Sequence, residues 1–257
     1  MKTAVVAIAR NEERYILEWI EHYRTLGFDR ITLFDNDDSP KLAGIVDSAG
    51  LGEFCHVNGK YIGVRRFVQS DAYKQEYMCI RDRFDWILFV DIDEFLSLDA
   101  PLHEFLSDPR YSGFDEIRMN WRIFTDSGRL RWTDEPVTSR FTETLPKSDP
   151  LNSQCKSFVR GRIQSFGHIS CHGMCGVRAC DVHGNKCADC RPSNDGPPIW
   201  DTAVIDHYRT KTIEEYLEQK VGRGDTWNKY SNTLETFFRI NEKTDEKLDI
   251  IEEFKKS

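Results

Sequence analysis

The residues with the clearest chemical potential are Asp91, Asp93 and Glu94, which follow directly on the apolar run Trp86-Ile87-Leu88-Phe89-Val90. Asp91 and Asp93 lie two positions apart, so on an extended segment both carboxylates project to the same side. Clustered negative charges repel unless a cation sits between them, and an all-oxygen donor set favours Mg²⁺ or Mn²⁺. Such ions keep several waters and bind through one or two carboxylates plus the phosphates of a substrate. The chemistry expected is metal-assisted handling of a phosphorylated ligand. An acidic strand-to-loop junction at the surface is the competing reading, and an Asp-x-Asp alone does not separate the two.

The elements around this stretch must place it. A run apolar on both faces belongs inside a parallel sheet, and in open α/β sheets ligands bind beyond the carboxyl ends of the strands. A second apolar run, 31–34, also ends in acid at Asp35-Asn36-Asp37-Asp38, with an Asx-rich turn before Pro40 as the alternative. A first strand over 2–8 leads into Arg10-Asn11-Glu12 and then an amphipathic helix carrying Tyr15, Ile16, Trp19, Ile20, Tyr23 and Leu26. Asn11 is the expected N-cap and Gly27 the C-terminal stop. Without a glycine-rich phosphate loop, the Arg10–Glu12 junction suits a sugar or a base rather than a pyrophosphate. A short helix over 42–49 and a strand over 53–57 complete a β-α-β-α-β pattern. A helix over 65–83 carries Arg66, Gln69 and Tyr73 toward the same cleft.

Beyond residue 95 the alternation loosens. A short helix over 102–106, a strand over 114–120 and an aromatic strand and turn, Asn120-Trp121-Arg122-Ile123-Phe124 with Asp126-Ser127-Gly128, come next. The aromatic segment is either a wall for a sugar ring or ordinary strand packing. A polar loop over 140–150 and a strand over 155–162 precede the final strand, 203–209. His207 there is either a satisfied structural histidine or a neutral imidazole ligand for Mn²⁺. Arg209 or Lys211 would then neutralise a leaving diphosphate. Thr212-x-x-Glu215 is a capping-box pattern opening a helix with Ile213, Tyr216, Leu217 and Val221 on one face. Gly222-Arg223-Gly224 ends that helix, and the tail over 233–256 reads as a surface helix.

Of eight cysteines, five (Cys171, Cys175, Cys180, Cys187 and Cys190) fall within twenty residues, beside His168, His172 and His183. An odd-numbered cluster with no secretion signal is a poor disulfide framework. Cys171-x₃-Cys175 and Cys187-x-x-Cys190 have spacings that a structural Zn²⁺ could use. Thiols in a surface hairpin are the alternative.

The 257 residues allow one large α/β domain or two small ones. A net charge of −8 with no basic run or basic-aromatic stripe argues against nucleic acid as a partner. No apolar stretch approaches the ~18 residues a membrane span needs. The first strand begins at once, leaving no room for a signal peptide, so a cytoplasmic enzyme is expected.

Several of these segments, in this order, resemble the GT-A glycosyltransferases, and within them the family-92-like and family-2-like enzymes. They are Ala9-Arg10-Asn11-Glu12, Asp35-Asn36, Gln69-x₃-Tyr73, the Asp-x-Asp-Glu-Phe block ending at Phe95, and Asn120 to Phe124 with Ser127-Gly128. Lys156-x₂-Val159-Arg160 and His207-Tyr208-Arg209-Thr210-Lys211-Thr212-x-Glu214-Glu215 complete the set. The resemblance implies a GT-A fold, a mostly parallel sheet flanked by helices; the Cys/His-rich insertion over 165–198 matches no part of that pattern. It divides the chain into a transferase domain, 1–224, and a helical tail, 225–257. Within the domain, 1–100 would bind the nucleotide sugar and 101–224 the acceptor.

It also implies a nucleotide-sugar donor, UDP-linked first, a Mn²⁺ or Mg²⁺ ion and inversion at the anomeric carbon. Arg10, Asn11, Glu12, Asp35, Asn36 and Asp37 would line the base and ribose pocket. Arg66, Gln69, Asp91 and Ile92, with Arg209 and Lys211, would complete the donor site. Asp93 would hold the metal, with Asp91 reaching the ribose or a metal-bound water and His207 a further ligand. The base that takes the acceptor proton would come from Asp126, Asp134, Glu135 or Asp201, of which Asp126 and Asp201 are carried forward. The acceptor would be a glycan or lipid-linked sugar in surface-polysaccharide synthesis, with at most peripheral contact with the inner membrane. A Mg²⁺-dependent phosphatase or phosphotransferase using Asp91 as nucleophile and a zinc-stabilised binding module are the alternatives.

Overall fold

The computed structural model describes residues 1–60, 68–194, 196–221 and 232–256. The chain forms two compact units, each assembled from separated segments: 1–122 with 148–206, and 123–147 with 207–257.

The first unit opens with strand β1 (Thr3–Ala9), helix α1 (Ile16–Thr25), β2 (Arg30–Asp35), α2 (Leu42–Ser48) and β3 (Cys55–Asn58). Helix α3 (Val68–Ile80) leads into β4 (Trp86–Phe89), followed by β5 (Glu94–Leu98) and α4 (Leu102–Ser107). Strand β6 (Glu116–Ile123) runs to the boundary of the second unit, whose helix α5 (Val137–Arg140) precedes β7 (Cys155–Arg160), back in the first. Short strands β8 (Ile169–Ser170), β9 (Gly173–Met174) and β10 (Ala179–Asp181) follow, then β11 (Ala203–His207). Helices α6 (Ile213–Gln219), α7 (Leu234–Ile240) and α8 (Asp245–Phe254) belong to the second unit.

The main sheet runs β3-β2-β1-β4-β7-β6-β11-β5, with β10 paired to β6, and β8 and β9 form a separate hairpin. Strands β1 to β4 pair in parallel, whereas β7 lies antiparallel to both β4 and β6. This is the mostly parallel α/β sheet flanked by helices that the resemblance implies. Strand β4 is buried along its whole length because both sheet faces are covered. On one face Ala4, Val6, Ile87 and Phe89 meet Ala72, Tyr73, Tyr77 and Ile80 of α3. Helix α1 buries Ile16, Trp19, Ile20 and Tyr23, as its apolar spacing predicts, each contributing about 1.5–3 kcal/mol of transfer free energy. Gly27, with φ of 91°, takes the left-handed conformation just past the helix end that its sequence position predicts. Gly161 lets β7 close onto the loop before β4, where a Cβ would collide with the Phe84 carbonyl oxygen.

Several expectations need correction. Asn11 does not cap α1: it sits at φ of 57°, and the helix is started by the Glu12 carbonyl, which accepts from Tyr15 and Ile16 N–H. The aspartates of Asp-x-Asp do not share an extended segment, because residues 91–94 form a tight turn in which Glu94 N–H donates to the Asp91 carbonyl. A strand not expected from the sequence, β5, begins at Glu94 itself. The two strands expected around 114–124 are one, β6, and the tail is two helices broken at Asn241. Cys175 and Cys190 form a disulfide with a Cα–Cα distance of 4.4 Å, so the cluster does supply one bridge. With those two sulfurs joined, the four-thiolate zinc set of Cys171, Cys175, Cys187 and Cys190 is not assembled. Arg66 and Gly222-Arg223-Gly224 lie outside the described residues.

Candidate functional site

The carboxyl ends of β1, β2 and β4 come together on one edge of the first unit, because these strands pair in parallel and in register. Asn36 N–H donates to the Ala9 carbonyl, tying the ends of β2 and β1. Asn11 N–H donates to the Asp37 carboxylate at 3.0 and 3.2 Å, and Arg10 pairs with Asp38 at 3.5 Å on the surface. Asp35 is held otherwise: one carboxylate oxygen accepts from Lys41 and Leu42 N–H at 2.7 and 2.9 Å. It thus satisfies two of the orphan amides at the start of α2 and complements that helix's dipole. Glu12 and Ile92 are buried, at 6% and 3% exposure.

The turn after β4 is the most tightly constrained feature of this edge. Trp19 Nε1 donates to the carbonyls of both Asp91 and Glu94, at 3.1 and 3.0 Å, and the Tyr23 hydroxyl adds a bond to Glu94. The Glu94 carboxylate turns back to accept from Asp91 N–H at 2.9 Å. Gln69 Nε2 donates to Asp91 Oδ1 at 2.6 Å, while Lys156 Nζ meets Asp91 Oδ2 at 2.7 Å and Glu94 Oε2 at 3.1 Å. The Tyr73 hydroxyl donates to the Val90 carbonyl just before the turn. Asp93 is 7% exposed within the same turn.

The side chains of Lys156 and Glu94 are fully buried, so their charges are expensive unless paired. Burial opposes the Lys156 charge most strongly, but Asp91 and then Glu94 outweigh it and hold the ammonium well above its usual range. Burial pushes the Glu94 carboxyl up to about 8, with Lys156 opposing and Asp91 and Asp93 adding to the rise. The lysine charge is therefore balanced chiefly by Asp91. The role of Lys156 was not legible from its motif. The available signal was a single lysine in the otherwise uncharged stretch Cys155-Lys156-Ser157-Phe158-Val159.

The aromatic segment behaves as packing. Trp121 is 7% exposed, its ring tilts against His172 at 5.6 Å, and its carbonyl accepts from Trp200 Nε1. Asn120 spends its side chain on the 152–153 carbonyls and on Asn194 and Ile199 N–H. Asp201 is exposed and pairs with His183 at 3.1 Å.

In the second unit His207 is buried, and its carbonyl accepts from Phe124 N–H at 3.1 Å. Lys211 is 3% exposed and takes a positive φ of 52°. The expected capping box is present: Thr212 Oγ1 accepts from Glu215 N–H, and the Glu215 carboxylate accepts from Thr212 N–H. The same carboxylate binds Arg140 through two hydrogen bonds. Asp126 lies in a buried ion pair with Lys247 at 2.6 Å. Among the described residues, no three His, Cys, Asp or Glu side chains converge to hold a metal ion. No described helix is long and apolar enough to cross a membrane.

No family model matches the chain. It is similar to a glycosyltransferase family 92 protein of Oryza sativa subsp. japonica, 25% identical over 162 residues, covering 61% of this chain and 26% of that protein. A family 92 protein of Ricinus communis is 22% identical, covering 58% of this chain and 29% of its own length. The chain thus spans between a quarter and a third of the curated relatives it matches. Among solved structures, S. aureus TarS 1–349 is 19% identical with a TM-score of 0.40, covering 62% of this chain and 47% of that one. Its complex with UDP-GlcNAc is 18% identical with a TM-score of 0.37, covering 52% and 37%.

Proposed function

We propose that this chain, similar over more than half its length to family 92 glycosyltransferases, moves a sugar from a nucleotide-sugar donor to a glycan or lipid-linked acceptor. The observation that carries the reading is the ordered acidic turn after β4, beside the polar ends of β1 and β2 on one sheet edge. That edge is where open α/β sheets bind nucleotides. In this reading Asn11, Asp37 and the neighbouring Arg10 and Asp35 border the base and ribose, and Asp91 faces the sugar-nucleotide link. UDP is the donor nucleotide tested first.

We assign a divalent ion to Asp93; both carboxylate oxygens of Asp91 are engaged by Gln69 and Lys156. His207 is the proposed further ligand. Mn²⁺ or Mg²⁺ there would supply charge neutralisation for the departing diphosphate. Arg209 and Lys211 are proposed to add positive charge on the same leaving group. Inversion would require a base near the acceptor hydroxyl. Asp126 and Asp201, the candidates from the sequence, are committed to Lys247 and His183, and the geometry favours neither. A phosphatase using Asp91 as nucleophile gains nothing from a carboxylate held at both oxygens.

The test is a panel of nucleotide sugars with Mn²⁺, scored by release of free sugar, because slow transfer to water needs no knowledge of the acceptor. UDP-sugar turnover, with metal-dependent UDP binding lost in Asp93→Ala, is expected. Absence of both turnover and nucleotide binding across the panel would remove the assignment.

A further inference from the structure

Lys156 stands out among the buried charges of the first unit. It comes from β7, the antiparallel neighbour of β4, and reaches the turn that closes the carboxyl end of β4. Its ammonium lies 2.7 Å from Asp91 Oδ2 and 3.1 Å from Glu94 Oε2, and its side chain is completely shielded from water. Gln69, from α3 on one face of the sheet, takes the other Asp91 oxygen at 2.6 Å. The backbone of the turn is fixed independently by Trp19 and Tyr23. The side-chain clamp is therefore not needed to shape the main chain. What it fixes is the direction of one carboxylate.

Two acids in one tight turn, Glu94 fully buried and Asp91 with a third of its side chain exposed, are a cation trap, and oxygen donors so placed attract divalent metal. Here a protein side chain already fills the trap. A compact ammonium donates in up to three directions, and two of them are taken by Asp91 and Glu94.

We infer that Lys156 is a positioning residue, a resident cation that with Gln69 aims the Asp91 carboxylate at the donor and keeps Asp91 and Glu94 from capturing a divalent ion. The inference rests on the donor-site reading above for what Asp91 faces. It does not rest on it for the exclusion of metal. Lys156 acts on the ligand only through Asp91. Its removal should move two affinities in opposite directions, whereas loss of a merely structural contact would lower both.

The experiment uses the full chain with Lys156→Met, Lys156→Arg and Gln69→Leu. Mn²⁺ binding without nucleotide is read by electron paramagnetic resonance, and UDP binding by calorimetry at saturating Mn²⁺. For Lys156→Met, Mn²⁺ affinity is expected to rise on the order of tenfold and UDP affinity to fall about tenfold, the scale of one charge-assisted hydrogen bond. Lys156→Arg, which keeps the charge and a donor, should stay within about threefold of wild type in both. A Lys156→Met protein that loses both affinities together, or changes neither, overturns the inference. Should that variant not fold, Gln69→Leu decides. UDP binding about fivefold weaker with Mn²⁺ affinity unchanged supports the clamp, and unchanged UDP binding overturns it. If wild-type protein binds no UDP, the donor reading fails while the Mn²⁺ comparison still decides the role of Lys156.

Discussion

Arg140 and Glu215 meet through two parallel hydrogen bonds of 3.0 and 2.9 Å, with each side chain 1% exposed. Glu215 also receives Thr212 N–H and Oγ1, so one carboxylate closes the capping box of α6 and anchors α5. Removing one member of a buried pair leaves the other charge uncompensated. Arg140→Met should lower stability by about 3–5 kcal/mol, read as a shift of the urea midpoint. A midpoint within experimental scatter of wild type would show that the pair is not a net support.

Asp35 accepts two amides at the start of α2 although it lies six residues upstream, at the end of β2. Lys41, the residue at the cap position, supplies no side-chain bond of its own. Asp35→Ala should therefore cost about 1–2 kcal/mol in denaturant unfolding, in the range of a lost N-cap. If the cost is nil, the role of Asp35 lies with a ligand alone.

The pH dependence of stability has a named source in His22. Burial is the largest influence and depresses its pKa below the ordinary 6.5, against the opposing Leu96 carbonyl and the charges of Asp206 and Glu18. Since the carbonyl at 2.8 Å can only accept, Nε2 carries the proton of the neutral ring. A depressed folded-state value means the unfolded chain binds the proton first, so stability is present above about 6.5 and lost as pH falls below it. His22→Gln, which keeps a donor for Leu96, should flatten the melting temperature between pH 7 and pH 5 relative to wild type. An equal slope in both proteins would place the dependence elsewhere.

The Cys175–Cys190 bridge makes a countable claim. Thiol titration of denatured, unreduced protein should find six reactive thiols among the eight cysteines. Finding eight would remove the bridge and return zinc on that cluster to consideration. Closing a 15-residue separation should contribute about 3 kcal/mol in the chain-entropy account, so Cys175→Ser with Cys190→Ser should lower the unfolding midpoint accordingly.

How much of this was legible in the sequence depends on how local each signal is. The doubly buried β4, the amphipathic α1 with Gly27 beyond it, and the Thr212/Glu215 box are written in contiguous residues. The two-residue spacing of Asp91 and Asp93 suggests an extended segment, because nothing local marks the turn at 91–94. Their real constraints come from Trp19, Tyr23, Gln69 and Lys156, which lie between 22 and 75 positions away. Strand β5 was hidden because it opens on Glu94, an acid that is fully buried and whose partner Lys156 lies far along the chain. Asp126 looked available for chemistry beside a Ser-Gly turn, yet Lys247, 121 positions later, pairs with it. Long-range pairing of this kind leaves no periodicity to read.

The interleaved make-up of the two units has a consequence for synthesis. When residue 206 leaves the ribosome the first unit has all its segments, but 123–147 must wait for 207–257 before it can complete its own core. At about 5–20 residues per second that interval lasts several seconds, during which the apolar side chains of Leu130 and Phe141 lack their later-made partners. The stage most open to chaperone capture or aggregation is thus a nascent chain whose first unit is already finished.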